Sequence, residues 1–239
     1  MTAAETGMRH HLPVISVVIP VLHEEEGINE VIDHVRSLET GVSAEIIVVD
    51  GDPRGTTIAA VKDGSVRTAR AEKGRGNQMN CGASQARGEI LLFLHADTRL
   101  PDKALSLIET RIGEDRRIVA GAFDLGFATS RRVFRLTEAY VFLRTRITRI
   151  PFGDQAIFVR RDYFQKIGGF RPIPIMEDVE LMRRIKSNGM AIAVIPEKTL
   201  TSIRRYAQEG LLFCTFRNWT LQVLYSVGVP PEKLAKWYR

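Results

Sequence analysis

Four apolar residues at positions 91–94 lead directly into a His-Ala-Asp sequence that ends at Asp97. Gly88 precedes this run and the loop-like residues 98–101 follow it, so the pattern predicts a short strand that is buried on both faces. Ligands of open α/β sheets bind beyond the carboxyl ends of such strands. We therefore expect Asp97 either to lie at the mouth of a binding site or merely to begin a turn, as aspartates after strands often do.

The first half of the chain repeats this pattern, because apolar strands alternate with segments of helical periodicity. Strands are predicted at residues 14–20, 45–50, 65–69 and 90–94, and helices at residues 26–38, 56–62, 77–86 and 102–112. This order predicts an α/β fold with a mostly parallel, doubly wound central sheet that is flanked by helices.

The alternation loosens after residue 113. Strands are predicted at residues 118–127, 155–159 and 191–195, and helices at residues 131–149, 162–167, 177–187 and 208–227. Since neither repeats nor linkers interrupt the chain, we expect a single domain over residues 1–239. Its core is expected at about residues 13–200, followed by a C-terminal helical segment at about residues 201–239.

The composition limits the class of protein and its partners. With 44% hydrophobic and 26% charged residues among 239, a globular domain is favoured over a disordered or fibrous chain. The net charge of +6 favours anionic partners, such as nucleotide phosphates, nucleic acid or an acidic membrane surface. Cys81 and Cys214 match no metal-ligand spacing. Residues 1–11 lack the apolar core of a signal peptide. No apolar run reaches the roughly 18 residues that a membrane span needs. We therefore expect a reduced, cytoplasmic protein.

Two predicted strands end in a carboxylate, at Asp50 and at Asp97. Both would lie at the same edge of a parallel sheet. One could accept hydrogen bonds from a nucleobase or a ribose hydroxyl. The other could hold Mg²⁺ or Mn²⁺ against a diphosphate.

Other carboxylates are placed where they could act on a substrate. Glu177 and Asp178 begin a predicted helix, either as residues that the helix dipole favours or as a site that includes a general base. Asp154 and Gln155 precede a strand and could line the same cleft.

Cationic residues occur at two candidate phosphate sites. Arg75 lies between two glycines before a helix whose N-terminus would favour anions, although an ordinary loop explains this segment better. Arg204 and Arg205 could clamp a diphosphate through their guanidinium groups or belong to a plain basic surface.

Taken in order, these motifs resemble glycosyltransferase family 2. The resemblance spans about residues 14–196 and is carried by Val-Ile-Pro followed by Glu-Glu at 18–25, Ile-Val-Val-Asp at 47–50, Phe-Leu-His-Ala-Asp-Thr at 93–98 and Glu-Asp-Val-Glu-Leu at 177–181. The chain is most similar to a small bacterial subgroup that has the Leu-His-Ala-Asp-Thr motif and no membrane span. The resemblance implies a GT-A (nucleotide-diphospho-sugar transferase) fold and metal-dependent, inverting sugar transfer.

The resemblance also implies a nucleoside pocket. Pro20, Glu24 and Asp50 would line it, with Asp50 facing the base. His95 stands where the family has the first Asp of its Asp-x-Asp motif, which meets the ribose. An imidazole that titrates near neutral pH would make binding of the sugar donor depend on pH. Residues 50–56 depart from the family's Asp-Gly-Ser-x-Asp-Gly-Thr pattern.

The resemblance also implies which residues bind the metal ion, act as the base and contact the diphosphate. By resemblance, Asp97 would hold Mg²⁺ or Mn²⁺, and Asp178 would be the catalytic base that deprotonates an acceptor hydroxyl. Arg204 and Arg205 match the Gln-x-x-Arg-Trp motif of processive members only loosely, as candidate contacts to the diphosphate. The sugar, the nucleotide and the acceptor are not specified.

Two other functions remain open. A nucleotidyltransferase would share the sheet and the metal, but it needs a Gly-rich loop with Arg and Lys after the first strand, whereas residues 20–26 read Pro-Val-Leu-His-Glu-Glu-Glu. A non-catalytic module that binds nucleotide or nucleic acid is supported by the arginines of residues 131–149, although no nucleic-acid motif with interleaved aromatic residues occurs there.

The apolar segment at residues 211–225 leaves its partner open. It could pack against the domain or against a second subunit in a homodimer. Alternatively, it could lie in a membrane interface at the inner face of the membrane, where it would reach a lipid-linked acceptor.

Overall fold

The computed structural model describes residues 14–39 and 41–238. The predicted alternation of strands and helices in the first half is confirmed. The elements are β1 (Ile15–Val21), α1 (Ile28–Ser37), β2 (Ala44–Asp50), α2 (Thr56–Ala59), β3 (Arg67–Arg70), α3 (Arg75–Gln85), β4 (Ile90–Phe93), β5 (Thr98–Arg99) and α4 (Ala104–Gly113).

The second half contains longer and less regular elements. They are β6 (Ile118–Phe127), α5 (Val133–Thr148), a 3-10 turn (Gly153–Gln155), β7 (Phe158–Arg160), α6 (Arg161–Lys166), α7 (Glu177–Ser187), β8 (Ala191–Thr201), α8 (Arg204–Glu209), α9 (Leu211–Ser226) and α10 (Pro231–Ala235).

Three elements in the second half differ from the predictions by more than two residues. The strand expected at 155–159 begins at Phe158, because the preceding residues form the 3-10 turn. β8 extends to Thr201, since it pairs with both β6 and β5. The helix expected at 208–227 is two helices, because Gly210 between them has a φ of 91°, which no α-helix accommodates.

All eight strands form one mixed sheet in the order β3-β2-β1-β4-β7-β6-β8-β5. β1 pairs in parallel with β2 and β4, and β6 pairs in parallel with β8. β7 is antiparallel to both β4 and β6, and β5 is antiparallel to β8. The carboxyl ends of β1, β2, β4, β6 and β8 therefore share one edge of the sheet with the loop that enters β7.

The sheet is buried on both faces, which explains its continuous apolar strands. Val17 and Ile19 of β1 pack on one side against helices α1 and α4, while Val18 packs on the other side with residues of α3 and α7. Phe93 at the end of β4 contacts Phe164 and Phe170, with ring centroids 5.3 Å and 4.9 Å away. This packing fixes the strand ends that position the site.

The C-terminal helices form a separate small core. Leu221 of α9 and Leu234 of α10 pack against Ile175, just before α7. This contact brings the end of the described chain next to the sheet edge. Within the residues described, no helix is long and apolar enough to span a membrane.

Candidate active site

A cavity of about 370 Å³ lies beyond the carboxyl ends of the strands. Parts of the chain that are distant in sequence contribute to it: the loop after β4, the 3-10 turn, the starts of α3 and α7, the end of β8 with α8, and α9 with Tyr238. Seven of the residues predicted from the sequence line this cavity, namely Arg75, His95, Asp97, Asp154, Asp178, Arg204 and Arg205. The structure thus brings together residues that are up to 130 positions apart in the chain.

The loop after β4 is a turn that presents Asp97 to the cavity. The Thr98 N–H donates to the His95 carbonyl at 3.1 Å, and the Ser202 N–H donates to the Asp97 carbonyl at 2.9 Å. The Thr98 and Thr201 hydroxyls are hydrogen-bonded at 2.7 Å. The main chain is therefore held between β5 and β8, while the Asp97 side chain is exposed. Both expectations for Asp97, a turn and a site mouth, agree with this geometry.

His95 lies deeper in the cavity than Asp97. Burial lowers the pKa of His95 to about 4, and the nearby positive charge of Arg75 contributes to this effect. The imidazole is therefore neutral throughout the neutral range. The expectation that His95 titrates near neutral pH is wrong, because it took no account of the desolvation of the ring.

Gly153 lies between His95 and Asp178. Its N–H donates to Oδ2 of Asp178 at 2.6 Å. A Cβ atom at this position would lie 2.8 Å from Cε1 of His95 and 3.4 Å from Oδ2 of Asp178. Only glycine therefore allows this approach without displacing the imidazole.

Asp178 lies in the first turn of α7, next to an ion pair between exposed Arg75 and buried Glu177. Nε of Arg75 is 2.9 Å from Oε1 of Glu177, which is almost completely buried. Burial raises the pKa of Glu177, although the Arg75 charge opposes this shift, and the same pair raises the pKa of Arg75. Met176, which precedes the pair, has a φ of 65°, a strained conformation for a non-glycine residue.

Gln155 anchors the 3-10 turn from behind the cavity. It is completely buried, and its Oε1 accepts hydrogen bonds from Nη2 of Arg144 at 3.0 Å and the Phe152 N–H at 3.1 Å. Its Nε2 donates to the Phe123 carbonyl at 2.9 Å. These bonds engage both the oxygen and the nitrogen of the amide, so the structure favours a positioning role over a contact to substrate.

Asp154 has an unsatisfied oxygen in the cavity wall. Its Oδ1 is buried and has no hydrogen-bond partner among the described residues. Burial raises the pKa of Asp154 to about 6, Arg144 opposes the shift, and the charges of Asp178 and Asp97 add to it. A buried carboxylate of this kind is a ready ligand for a cation.

The residues expected to line the nucleoside pocket, Pro20, Glu24 and Asp50, do not line this cavity. Pro20 is buried within β1. Asp50 is also buried, and its carboxylate accepts the N–H groups of Asp52 and Thr57, each at 2.9 Å. These hydrogen bonds hold the loop after β2 in place. They were not predicted from the sequence. Glu24 pairs with Arg204, with 2.7 Å between Oε1 and Nη2.

Several residues of the site were missed by the sequence analysis. Asp52 forms an ion pair with Arg54 at 3.1 Å, and the hydrogen bonds from Arg54 lower the pKa of Asp52 to about 2. Gln78 of α3 donates to the carbonyls that end β1 and β2. Tyr238 lines the cavity and hydrogen-bonds to Arg205. Of these, only Asp52 carried a signal, since it lies two residues after Asp50.

The oxygen donors of the cavity fit a divalent cation that a ligand would help to coordinate. Within the described part of the chain, no cluster of three or more His, Cys, Asp or Glu residues could hold a metal ion. Mg²⁺ is commonly bound through one or two carboxylates together with substrate phosphates and water. The exposed carboxylate of Asp97 and the unpartnered oxygen of Asp154 suit this arrangement.

Comparison with protein families matches residues 16–173 to Glycosyl transferase family 2. The matched range covers about two thirds of the chain, including the loop of His95 and Asp97 and the 3-10 turn. It ends before α7, so Asp178, Arg204 and Arg205 lie beyond it.

Curated proteins and a solved structure are similar to the chain as well. It is 35% identical over 92 residues to glucosyl-3-phosphoglycerate synthase of Mycolicibacterium paratuberculosis, covering 35% of this chain and 28% of that protein. It is 26% identical over 177 residues to dolichol-phosphate mannosyltransferase of Pyrococcus furiosus, covering 70% of this chain and 48% of that protein. The chain thus spans less than half the length of these relatives. Mannosyltransferase PcManGT of Pyrobaculum calidifontis, solved with GDP-Man and Mn²⁺, superposes with a TM-score of 0.65 at 18% identity, covering 89% of this chain and 61% of that one.

Proposed function

The chain belongs to glycosyl transferase family 2 and has the GT-A fold, and we propose that it transfers a sugar from a nucleoside diphosphate sugar to an acceptor hydroxyl with inversion. The observation that carries the proposal is the single cavity that Asp178 and Asp97 share with the cationic side chains of Arg75, Arg204 and Arg205. A base, a cation ligand and a clamp for phosphate are the groups that such a displacement requires.

Asp178 acts as the general base in this proposal. It takes the proton of the acceptor hydroxyl as that oxygen bonds to the anomeric carbon, and the bond to the diphosphate oxygen breaks on the opposite face. The Gly153 N–H fixes Oδ2 of Asp178, so the carboxylate is oriented before the acceptor arrives. Neutral His95 lies beside this pair and can hydrogen-bond a hydroxyl of the sugar donor.

The leaving nucleoside diphosphate gains negative charge as the bond breaks. Arg204 and Arg205 approach it from α8, where guanidinium groups can bind phosphate oxygens in a bidentate manner. Arg204 pairs with Glu24 in the present structure, and a diphosphate would compete for that guanidinium. Mg²⁺ or Mn²⁺, held by Asp97 with Asp154, would neutralise further charge on the diphosphate.

The acceptor is proposed to be lipid-linked. A second, largely apolar cavity of about 260 Å³ borders the first and shares Phe152, Met176, Val179 and Gln222 with it. An acceptor with its hydroxyl at Asp178 could place an apolar portion in this second cavity. The name of the Pyrococcus furiosus relative, dolichol-phosphate mannosyltransferase, is consistent with this acceptor class.

A screen of nucleotide sugars by thermal shift, with and without Mn²⁺, tests the proposal. We expect at least one nucleoside diphosphate sugar to raise the melting temperature only when Mn²⁺ is present. Incubation with that sugar should release the free nucleoside diphosphate. Release of pyrophosphate from a nucleoside triphosphate and a sugar phosphate would instead identify a nucleotidyltransferase.

A further inference from the structure

Helix α5 is apolar on two opposite faces. Its buried face includes Phe134 and Val141, which pack toward β6. On the other face, Leu136, Tyr140, Leu143 and Ile147 recur at helical spacing and are exposed, with Leu136 74% and Ile147 71% accessible. An amphipathic surface helix would carry polar residues on that side. An exposed apolar face of this kind is typical of a surface that contacts a partner or a membrane.

Helix α9 shows the same arrangement. Leu221 is buried, whereas Phe216, Trp219 and Val223 are exposed on the other side together with Val227 at the end of the helix. Scattered exposed apolar residues are ordinary, but two aligned rows on neighbouring helices are not.

One groove connects the two rows, because members of each row line it. The second cavity is lined by Tyr140 from α5 and by Trp219, Val223 and Val227 from α9. We name these four residues, together with Leu136, Leu143, Ile147 and Phe216, the two-helix apolar surface. Its groove borders the active-site cavity at the residues that both cavities share.

The two helices that carry this surface have an excess of positive charge. Residues 131–149 and 211–227 contain one acidic residue, Glu138, which is buried and paired with Arg135 and Lys198. Exposed cations lie at both ends of α5: Arg131 and Arg132 before it, Arg149 after it, and Lys186, whose ammonium donates to the Thr148 carbonyl. None of these four forms an ion pair within the described residues.

We propose that the two-helix apolar surface docks the protein on a membrane that carries anionic lipid headgroups. The apolar rows would enter the boundary between headgroups and acyl chains, while the arginines and Lys186 meet the negative charge. A second copy of the chain is a poorer occupant, because pairing two such faces brings cations against cations. Delivery of a lipid-linked acceptor through the groove rests on the proposed function, whereas docking itself does not.

Vesicle binding of the full chain tests this docking without any nucleotide sugar. We expect the protein to sediment with phosphatidylcholine vesicles that contain phosphatidylglycerol, and less at high salt. Leu136→Gln combined with Ile147→Gln should weaken binding about tenfold or more, because each aliphatic side chain withdrawn from the apolar layer removes a large part of the affinity. The control is Leu200→Gln, at an exposed leucine of β8 outside the surface, which should bind as the wild type does.

Tryptophan emission gives a second readout. Trp219 and Trp237 are the two tryptophans of the chain, so Trp237→Phe leaves Trp219 as the single reporter. Its emission should shift to shorter wavelength on anionic vesicles. The proposal is overturned if the wild type does not bind these vesicles, if the double variant binds equally well, or if Trp219 is unaffected. A dimer in solution that the double variant dissociates would assign the surface to a second copy instead.

Discussion

At the scale of single residues, Gly153 leaves no room for a side chain between His95 and Asp178. An alanine methyl group there would collide with the His95 ring, next to the Asp178 carboxylate. We predict that Gly153→Ala lowers the rate of sugar transfer about 100-fold, because a displacement of about 1 Å at a catalytic group has that effect. Steady-state release of nucleoside diphosphate measures it.

Gly64→Ala is the matched control for this change, since a Cβ at Gly64 would meet nothing within 4 Å. It should keep full activity and an unchanged melting temperature. If Gly153→Ala were as active as Gly64→Ala, the close approach of His95, Gly153 and Asp178 would have no catalytic importance.

Asp97 is predicted to contribute to the Mn²⁺-dependent binding of nucleoside diphosphate. Asp97→Ala removes an exposed carboxylate, so the fold should be unaffected, while the gain in nucleoside diphosphate affinity on adding Mn²⁺ should fall about tenfold or more. Calorimetric titration with and without Mn²⁺ provides the measurement. Asp102→Ala, at an exposed aspartate just before α4, should bind as the wild type does. Equal Mn²⁺-dependent binding by both variants would remove Asp97 from the metal site.

The positions of carboxylates at the ends of strands and helices could be predicted from the sequence. Their hydrogen-bond partners could not. Asp97 and Asp178 stand at a strand end and a helix start, and those positions alone place them at one sheet edge. That the Asp50 carboxylate is occupied by main-chain N–H groups depends on how the following loop folds back. The pKa of His95 likewise depends on burial by segments that are distant in the chain.

At the scale of elements, the short 3-10 turn before β7 depends on one buried amide. Gln155→Ala would leave the Phe123 carbonyl and the Phe152 N–H without their partner. We predict a loss of about 3 kcal/mol in the free energy of unfolding, since each unsatisfied buried group costs about 1–3 kcal/mol. Denaturant titration measures this loss. Gln85→Ala, at an exposed glutamine that ends α3, should change stability little, and equal effects of the two changes would contradict the anchoring role.

Elements with clear periodicity were predictable, and those defined by tertiary pairing were not. α7 and β6 have the predicted bounds, because apolar spacing specifies them locally. The extension of β8 to Thr201 requires β5 as a partner, and β5 is only two residues long. The break between α8 and α9 depends on Gly210, whose positive φ no periodicity reveals.

At the scale of the whole molecule, the C-terminal helices complete a site that the sheet begins. Tyr238, near the end of the chain, reaches Arg205 in α8, and both line the cavity with residues from α7 and from the loop after β4. The sequence predicted a C-terminal helical segment and the mostly parallel sheet. It did not predict that the segment folds over the sheet edge, because that placement follows from packing of Leu221 and Leu234 on Ile175.

Proton NMR of sugar-donor turnover by the wild type and by Asp178→Asn tests the proposed function most directly. The substitution keeps the size of the side chain and removes its proton acceptor, so turnover should fall about 1000-fold while sugar-donor binding persists. Asp162→Asn, in the first turn of α6, is the control. With an α-linked sugar donor that the protein binds and water as the acceptor, we predict release of nucleoside diphosphate and, before mutarotation, of the β-anomer of the free sugar, by the wild type and the control only. Retained turnover by Asp178→Asn, or early release of the α-anomer, would contradict Asp178 as the base of an inverting transferase.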